Sequence, residues 1–402
     1  MTAYSTILVP AFVVSLVFLA TDWVSLPSCG LLIPIGGHPR VVDPPEGSQQ
    51  DLRVMLVGDL LLSGDDSSFL DSYFRDYYLS QFFRKSFQAL KPDMLVFLGD
   101  VSARGWKLTR KQWVSVIRQF NRIIGAYVGI PFHVVLGDKD IGNCSGLDAQ
   151  FVSWVAGRFP GLDSAGCGAF EMNNVAFISL NSVALMCGDC ALRFGIEQAI
   201  EREKYALYEE SLGSSNLATE SYQSAETSLH PPWRQNSMPP GSGPVLLLHL
   251  PLHMKGMRNY AHGLQAKGSD EQLRSVGPMP YELSQSIPPN ATTYIFQALR
   301  PRIVFSGHRL QFGNYIHDDR THEVTVPSMS WADGGTPGFV LATFQNGSAI
   351  GISHCSHTKE AHVLSLMFLL LMMILIILAK EYRELRILQR TMVNHICLAI
   401  FS

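Results

Sequence analysis

Charge is scarce in this sequence. Of 402 residues only 16% are Asp, Glu, Lys or Arg, the formal net charge is −3, and no long basic run occurs. A nucleic-acid binder needs a cationic face to displace counterions, so that class is excluded. No internal repeat is visible. Cysteine is limited to seven residues. The pair Cys187 and Cys190 has no second pair to complete a zinc site. It reads as a small disulfide loop in an oxidising lumen, or less readily as a redox motif, since no thioredoxin-like pattern surrounds it. The odd count leaves a free thiol or an intermolecular bond, and Cys397 falls near the C-terminus. Apolar residues are plentiful: 47% of the chain is hydrophobic and the mean hydropathy is +0.13. Fibrous and fully disordered classes are therefore excluded, one large domain or two ordinary ones fit the length, and membrane segments are expected.

Two stretches meet that expectation. Ile7 to Ala20 is apolar or small throughout, and the patch from Trp23 to Leu26 extends it toward the roughly 20 residues a bilayer core needs. It reads as a signal anchor within residues 1–35, with a cleaved signal or a buried strand as alternatives. The leading MTAYS lacks the usual positive charge of a signal peptide. His362 to Ala379 is the stronger span, followed at once by Lys380, Arg383, Arg386 and Arg390. Basic residues stay on the cytoplasmic side, so residues 380–402 are expected as a cytosolic tail and the body before His362 in the lumen. The sequons at Asn143, Asn290 and Asn346 agree with a lumenal body.

The body, 51–355, alternates strands and helices. Val54–Val57, Met94–Leu98, Phe132–Leu136, Val175–Leu180, Val245–Leu248 and Ile303–Phe305 are apolar runs of strand length. Glu323–Val326 and Gly338–Phe344 follow as later strands. Ser72–Leu90 and Trp113–Ile124 have helical spacing, and the aromatics of the first belong to a core. Gly213–Gly243, rich in Ser, Pro and Gly, reads as a flexible insertion.

Five of the strands end in a side chain able to bind metal: Asp59, Asp100, Asp138, His249 and His308. In open α/β sheets the ligand crevice lies beyond the carboxyl ends of the strands, so all five are placed to converge. Carboxylate with imidazole is the ligand set of Mn-, Fe- or Zn-type ions in hydrolysis. A single Asp at a strand end is ordinarily a turn former or helix N-cap, but five in series are not so explained. His253 is expected as an exposed polar residue or a substrate contact, His317 and His322 at the surface, and His133 as a satisfied core histidine.

The order Gly58-Asp59, LGDVSARG from Leu98, GDKDIG from Gly137, HLPLH from His249 and SGH from Ser306 resembles the calcineurin-like metallophosphoesterase superfamily. Its motif is D-x-H, G-D, G-N-H-D/E, H and G-H-x-H. Asn181 to Leu185, Pro251-Leu252 and Val326 to Trp331 are similar to the branch that remodels glycosylphosphatidylinositol (GPI) anchors in the early secretory pathway. The resemblance spans about residues 51–380. It implies an α/β sandwich of two mixed β-sheets flanked by helices, with a transmembrane helix at each end.

What carries over is partial. In the family one ion takes the first aspartate, its histidine, the bridging aspartate and the final histidine. Here Asp59 and Asp100 remain, but Leu61 and Leu310 stand where the histidines would be. The other ion takes the bridging aspartate, the asparagine and two histidines, which match Asp100, Asp138, His249 and His308. The resemblance thus implies one well-held divalent ion. Lys139 stands where the family has its catalytic histidine; it is a candidate cation for phosphate, or a simple partner of Asp138 or Asp140. The implied substrate is a phosphodiester on a GPI-anchor glycan, such as an ethanolamine-phosphate branch, in an endoplasmic reticulum or Golgi membrane. Implied partners are GPI-anchored proteins or their glycolipid, and membrane lipid. An inactive relative that binds anchors or cargo, or that stabilises an active paralogue, is the other reading.

Overall fold

The computed structural model describes residues 24–34, 51–66, 71–125, 129–187, 191–215, 243–254, 286–331, 334–345 and 348–400. The apolar stretch from Ile7, Cys190, Asn346 and most of the Ser/Pro-rich insertion lie outside them. The chain divides into two compact units, Pro27–Ser356 and the terminal segments Met1–Leu26 with His357–Ser402, each taken by itself below.

The larger unit is a sandwich of two six-stranded sheets. Its strands are β1 (Ser28–Pro34), β2 (Leu52–Val57), β3 (Met94–Leu98), β4 (Phe132–Val135), β5 (Gly168–Met172), β6 (Val175–Ser179), β7 (Val245–Leu248), β8 (Ile303–Ser306), β9 (Gly313–Ile316), β10 (His322–Thr325), β11 (Gly338–Gln345) and β12 (Ser348–Ser356). The orders are β1-β12-β11-β2-β3-β4 and β5-β6-β7-β8-β10-β9. In the first sheet the parallel strands β2, β3 and β4 form one end, and in the second β6, β7, β8 and β10 form a parallel centre. Antiparallel strands flank them. Both sheets are therefore mixed.

The helices are α1 (Asp76–Leu90), α2 (Arg110–Ile124), α3 (Asp138–Ile141), α4 (Ala149–Ala156), α5 (Ser182–Met186), α6 (Ala191–Ser215) and α7 (Pro289–Leu299). The central strands read as unbroken apolar runs because both faces are covered. Leu52, Val54 and Leu56 on β2 alternate inward and meet Val245 and Leu247 of β7 and Ile303 and Phe305 of β8 in one core. The opposite face of β3 packs on helices: the Phe97 ring lies 6.1 Å from Phe83 of α1 and 5.1 Å from Phe120 of α2. This layering leaves the carboxyl ends of five parallel strands free to build a site.

Three expectations need correction. Residues 28–34, read as part of the N-terminal apolar segment, form β1, because β1 supplies the outer partner of β12 in register Ser28 to Ser356. Helix α6 runs to Ser215, three residues into the expected insertion. Cys187 bonds to Cys144 rather than to Cys190, because α5 presents it to the loop after α3. A second disulfide, Cys29–Cys355, ties β1 to β12. Cys167 is a buried free thiol, pushed up to about 12 by burial.

His133 on β4 is the core histidine expected. Its Nε2 lies 2.8 Å from Ser179 Oγ on β6, so the ring bridges the two sheets. Burial pushes its pKa down to about 4. The unfolded ring takes its proton near 6.5, so this group's contribution is full above that pH and is lost as pH falls toward 4. The loss amounts to about 3 kcal/mol. His133→Gln keeps a polar partner for Ser179 and should flatten that acid limb, as read by urea unfolding at pH 7 and pH 4.5. Equal acid sensitivity in both proteins would refute the assignment.

In the smaller unit, α8 (Glu360–Ile400) is the one helix among the described residues long and apolar enough to cross a membrane, over Glu360–Thr391 with mean hydropathy 2.8. Leu364, Phe368, Leu371, Leu375 and Ile376 are exposed along it. At its start Thr358 Oγ1 donates to the Val24 carbonyl at 3.0 Å.

Candidate metal centre

Each site residue follows a parallel strand by one to three positions: Asp59 after β2, Asp100 after β3, Asp138 after β4, His249 after β7 and His308 after β8. The chain must turn sharply there. Asp59 (φ 27°), Asp100 (φ 52°) and His308 (φ 64°) all lie in the left-handed region, as do Leu61 (φ 54°) and Leu310 (φ 39°). Non-glycine residues held there cost about 1–3 kcal/mol each and collect at functional sites. Surrounding bonds hold them: Leu61 N donates to Asp100 O at 3.0 Å, and Leu62 N to Val101 O at 2.8 Å. Gly99 (φ 94°) must be glycine for a second reason, since a Cβ there would collide with the His249 ring, 2.7 Å from its Cγ.

Four residues come together. One ligand atom each from Asp100, Asp138, His249 and His308 lies within 4.8 Å of all the others. His249 Nε2 is 2.9 Å from Asp138 Oδ1 and 3.4 Å from Asp100 Oδ1; His308 Nδ1 is 3.3 Å from Asp138 Oδ1. Asp59 stands beside this group, its Oδ1 4.0 Å from His249 Nδ1. Lys139 Nζ lies 3.3 Å from Asp100 Oδ2, a partner 39 residues away in sequence. Asp140 is engaged otherwise, accepting from the backbone N–H of Gly137 (3.0 Å), Ser102 (2.8 Å) and Val101 (3.3 Å), which pins the loops after β3 and β4 together.

The electrostatics favour a cation. Burial alone would lower the His249 pKa, yet the charge of Asp100 and the hydrogen bond to Asp138 carry it up to about 10. Burial raises Asp100 and raises Asp140 to about 7. Asp138 is also penalised by burial, but its bonds to His249 and His308 bring its carboxyl well below the usual range.

The donors suit an ion. His249 Nδ1 lies 2.7 Å from the Leu98 carbonyl, which can only accept, so Nδ1 carries a proton and Nε2 is the atom that would face an ion. Asp100 turns Oδ1 to the ligand group, 3.4 Å from His249 Nε2, while its buried Oδ2 faces Lys139 Nζ at 3.3 Å. Two carboxylates and two imidazoles are a borderline-hard set for Mn, Fe or Zn. The other family set does not fit an ion here, because Leu61 and Leu310 offer no donor.

The segments resembling the anchor-remodelling branch brace this site. Ser182 Oγ accepts the Leu250 N–H at 2.8 Å, next to His249. Ser328 Oγ donates to the Asp59 carbonyl at 3.0 Å, and Met329 N donates to Gly58 O at 3.1 Å. His317, expected at the surface, is buried, its Nε2 2.7 Å from Glu323 Oε2. Glu323 also accepts from Ser306 Oγ (2.8 Å) and Leu252 N (3.1 Å), which links the His249 loop to β8 before His308. Nothing in the sequence marked Glu323 beyond an acid inside an apolar strand. His322 is half-buried, with Nδ1 3.2 Å from Asn314 Oδ1. His253 is half-buried too, with its backbone N–H on Thr292 Oγ1.

Comparison with known proteins follows the same lines. Proteins named Metallophosphoesterase 1 are similar: that of Danio rerio is 27% identical over 320 residues (79% of this chain, 78% of the relative), and that of Rattus norvegicus 26% over 331 residues (81% and 78%). Among solved structures, a dimetal phosphatase from Danio rerio aligns at TM-score 0.42 with 11% identity, over 77% of this chain and 99% of that one. A purple acid phosphatase from yellow lupin aligns at TM-score 0.43 with 14% identity, over 79% and 56%. The calcineurin-like phosphoesterase family profile matches residues 52–312, the interval that holds every strand-end ligand candidate, and the chain belongs to that family.

Proposed function

We propose that this chain is a membrane-anchored phosphoric ester hydrolase with a single divalent ion held by Asp100, Asp138, His249 and His308. The observation that carries the reading is the convergence of those four ligand atoms within 4.8 Å at the ends of parallel strands. The ion supplies Lewis acidity toward a phosphoryl oxygen. The chain's own residues do the rest. Leu98 fixes the His249 tautomer and ring plane. His308, half-buried at the rim, faces both the ion ligands and incoming substrate. Asp140 keeps the two aspartate-bearing loops in register.

The substrate we assign is a phosphodiester of a GPI-anchor glycan, with GPI-anchored proteins or their glycolipid as partners in an endoplasmic reticulum or Golgi membrane. Support comes from the branch-like segments that brace Asp59 and His249. The two disulfides suit an oxidising lumen. Asn143 and Asn290 are exposed, as glycosylation requires. The apolar helix α8 followed by Lys380, Arg383, Arg386 and Arg390 fits a lumenal body with a cytosolic tail.

A second reading is favoured by Leu61 and Leu310: a relative that binds anchors without cleaving them. The full chain purified in detergent decides between them. We expect one ion per chain by atomic emission, and ion-dependent release of ethanolamine phosphate from an anchor glycan. One ion without turnover under Mn, Fe or Zn would transfer the chain to the binding class.

A further inference from the structure

We infer that the Lys139 ammonium takes the place of the family's other ion, so that the centre is built for one exchangeable cation and one fixed cation. This rests on the reading of the four-residue group as a metal centre. Asp100 is the residue that would be shared between two ions, and its two oxygens have separate tasks here. Oδ1 lies 3.4 Å from His249 Nε2 within the ligand group and accepts the Lys139 backbone N–H at 2.9 Å. Oδ2, fully buried, faces Lys139 Nζ at 3.3 Å.

Two of the neighbouring carboxylates, those of Asp138 and Asp140, are engaged elsewhere. Asp138 is shared by His249 and His308, and Asp140 by three backbone N–H groups. A buried carboxylate without a counter-charge costs several kcal/mol. Where the imidazoles are replaced by Leu61 and Leu310, no divalent ion is held to supply that charge. The lysine supplies it covalently, with its amine reaching inward from a side chain only 34% exposed. The departures from the family pattern at 61, 139 and 310 are thus one exchange of a bound ion for a tethered one. The left-handed backbone at Leu61 and Leu310 is still the one that would aim ligands at that place.

The test counts metal rather than activity. Wild-type chain in detergent, saturated with Mn and then gel-filtered, should hold one ion. Leu61→His with Leu310→His should still hold one, because the ammonium remains. Adding Lys139→Met to that pair should raise the count to two. Two ions in the double variant, or one in the triple, would overturn the assignment. Should the triple variant not fold, Lys139→Met alone decides. Removing a like charge beside Asp100 should tighten Mn binding about tenfold, and an unchanged or weaker affinity would overturn it. A wild-type chain holding no Mn, Fe or Zn would remove the metal-centre reading, and the lysine assignment with it.

Discussion

His249→Ala should empty the centre and abolish turnover. The ring is completely buried and joins both halves of the site, with Nδ1 on the Leu98 carbonyl and Nε2 between Asp138 and Asp100. Loss of a group that merely supports a ligand weakens metal affinity 10–100-fold, so loss of the ligand itself should exceed about 100-fold. Stability should also fall. Without the imidazole, Asp100 and Asp138 face each other with less positive charge between them, and breaking a buried pair in this way costs about 3–5 kcal/mol. Metal content after gel filtration and the urea midpoint, each against wild type, read the two effects separately. An alanine variant that retains its ion would show that His249 is structural only. Under the binding-only reading the ion is still lost, so this experiment addresses the site before it addresses the chemistry.

The second large effect comes from a glycine. Gly137 has extended backbone (φ −104°, ψ 168°), which any residue adopts, so its conformation is not the constraint. The constraint is space. A Cβ at 137 would overlap Asp100 Oδ1 and the Asp100 backbone nitrogen, with Asp100 Cγ at 3.0 Å. Asp100 has nowhere to go, being buried on a left-handed backbone and joined to Lys139. Gly137→Ala should therefore cost about 3–5 kcal/mol, in the range of severe core strain, and release the ion. Gly125, at the end of α2, is the internal comparison: a Cβ there meets nothing within 4 Å. Gly125→Ala should stay within about 0.5 kcal/mol of wild type. Thermal melts and metal content of the two variants check both statements. Equal stability would mean that the loops after β3 and β4 do not approach as described.

The interior strands were legible because burial on both faces writes them as unbroken apolar runs, as in β3 and β7. Each ends at a residue whose chemistry is visible without coordinates, so the convergence of Asp100, Asp138, His249 and His308 followed from parallel topology. Outer strands carry a weaker signal. β9, with half-buried and exposed residues alternating over Gly313–Ile316, owes its place to pairing with β10 and not to its own pattern. The helix α7, starting with Pro289, was missed although proline at a first turn is a start signal.

Long-range partners were the least legible. Cys144 lies 43 residues before Cys187, and spacing alone favours the nearer Cys190. The burial of His317 depends on Glu323, a charge whose position inside β10 only the fold reveals. Lys139 is the sharpest case. Sequence proximity pointed to Asp138 and Asp140, but the short helix α3 turns those two side chains toward other partners. The amine is then presented to an aspartate 39 residues earlier.

The Cys29–Cys355 bond, with 326 residues of sequence separation, makes nearly the whole body a covalent ring. A protease that cuts one peptide bond anywhere inside that ring produces two polypeptides which stay joined. A piece can then separate only after a second cut inside the ring, or after one cut together with reduction of the bond. The bond therefore decides whether a nicked molecule remains one covalent piece.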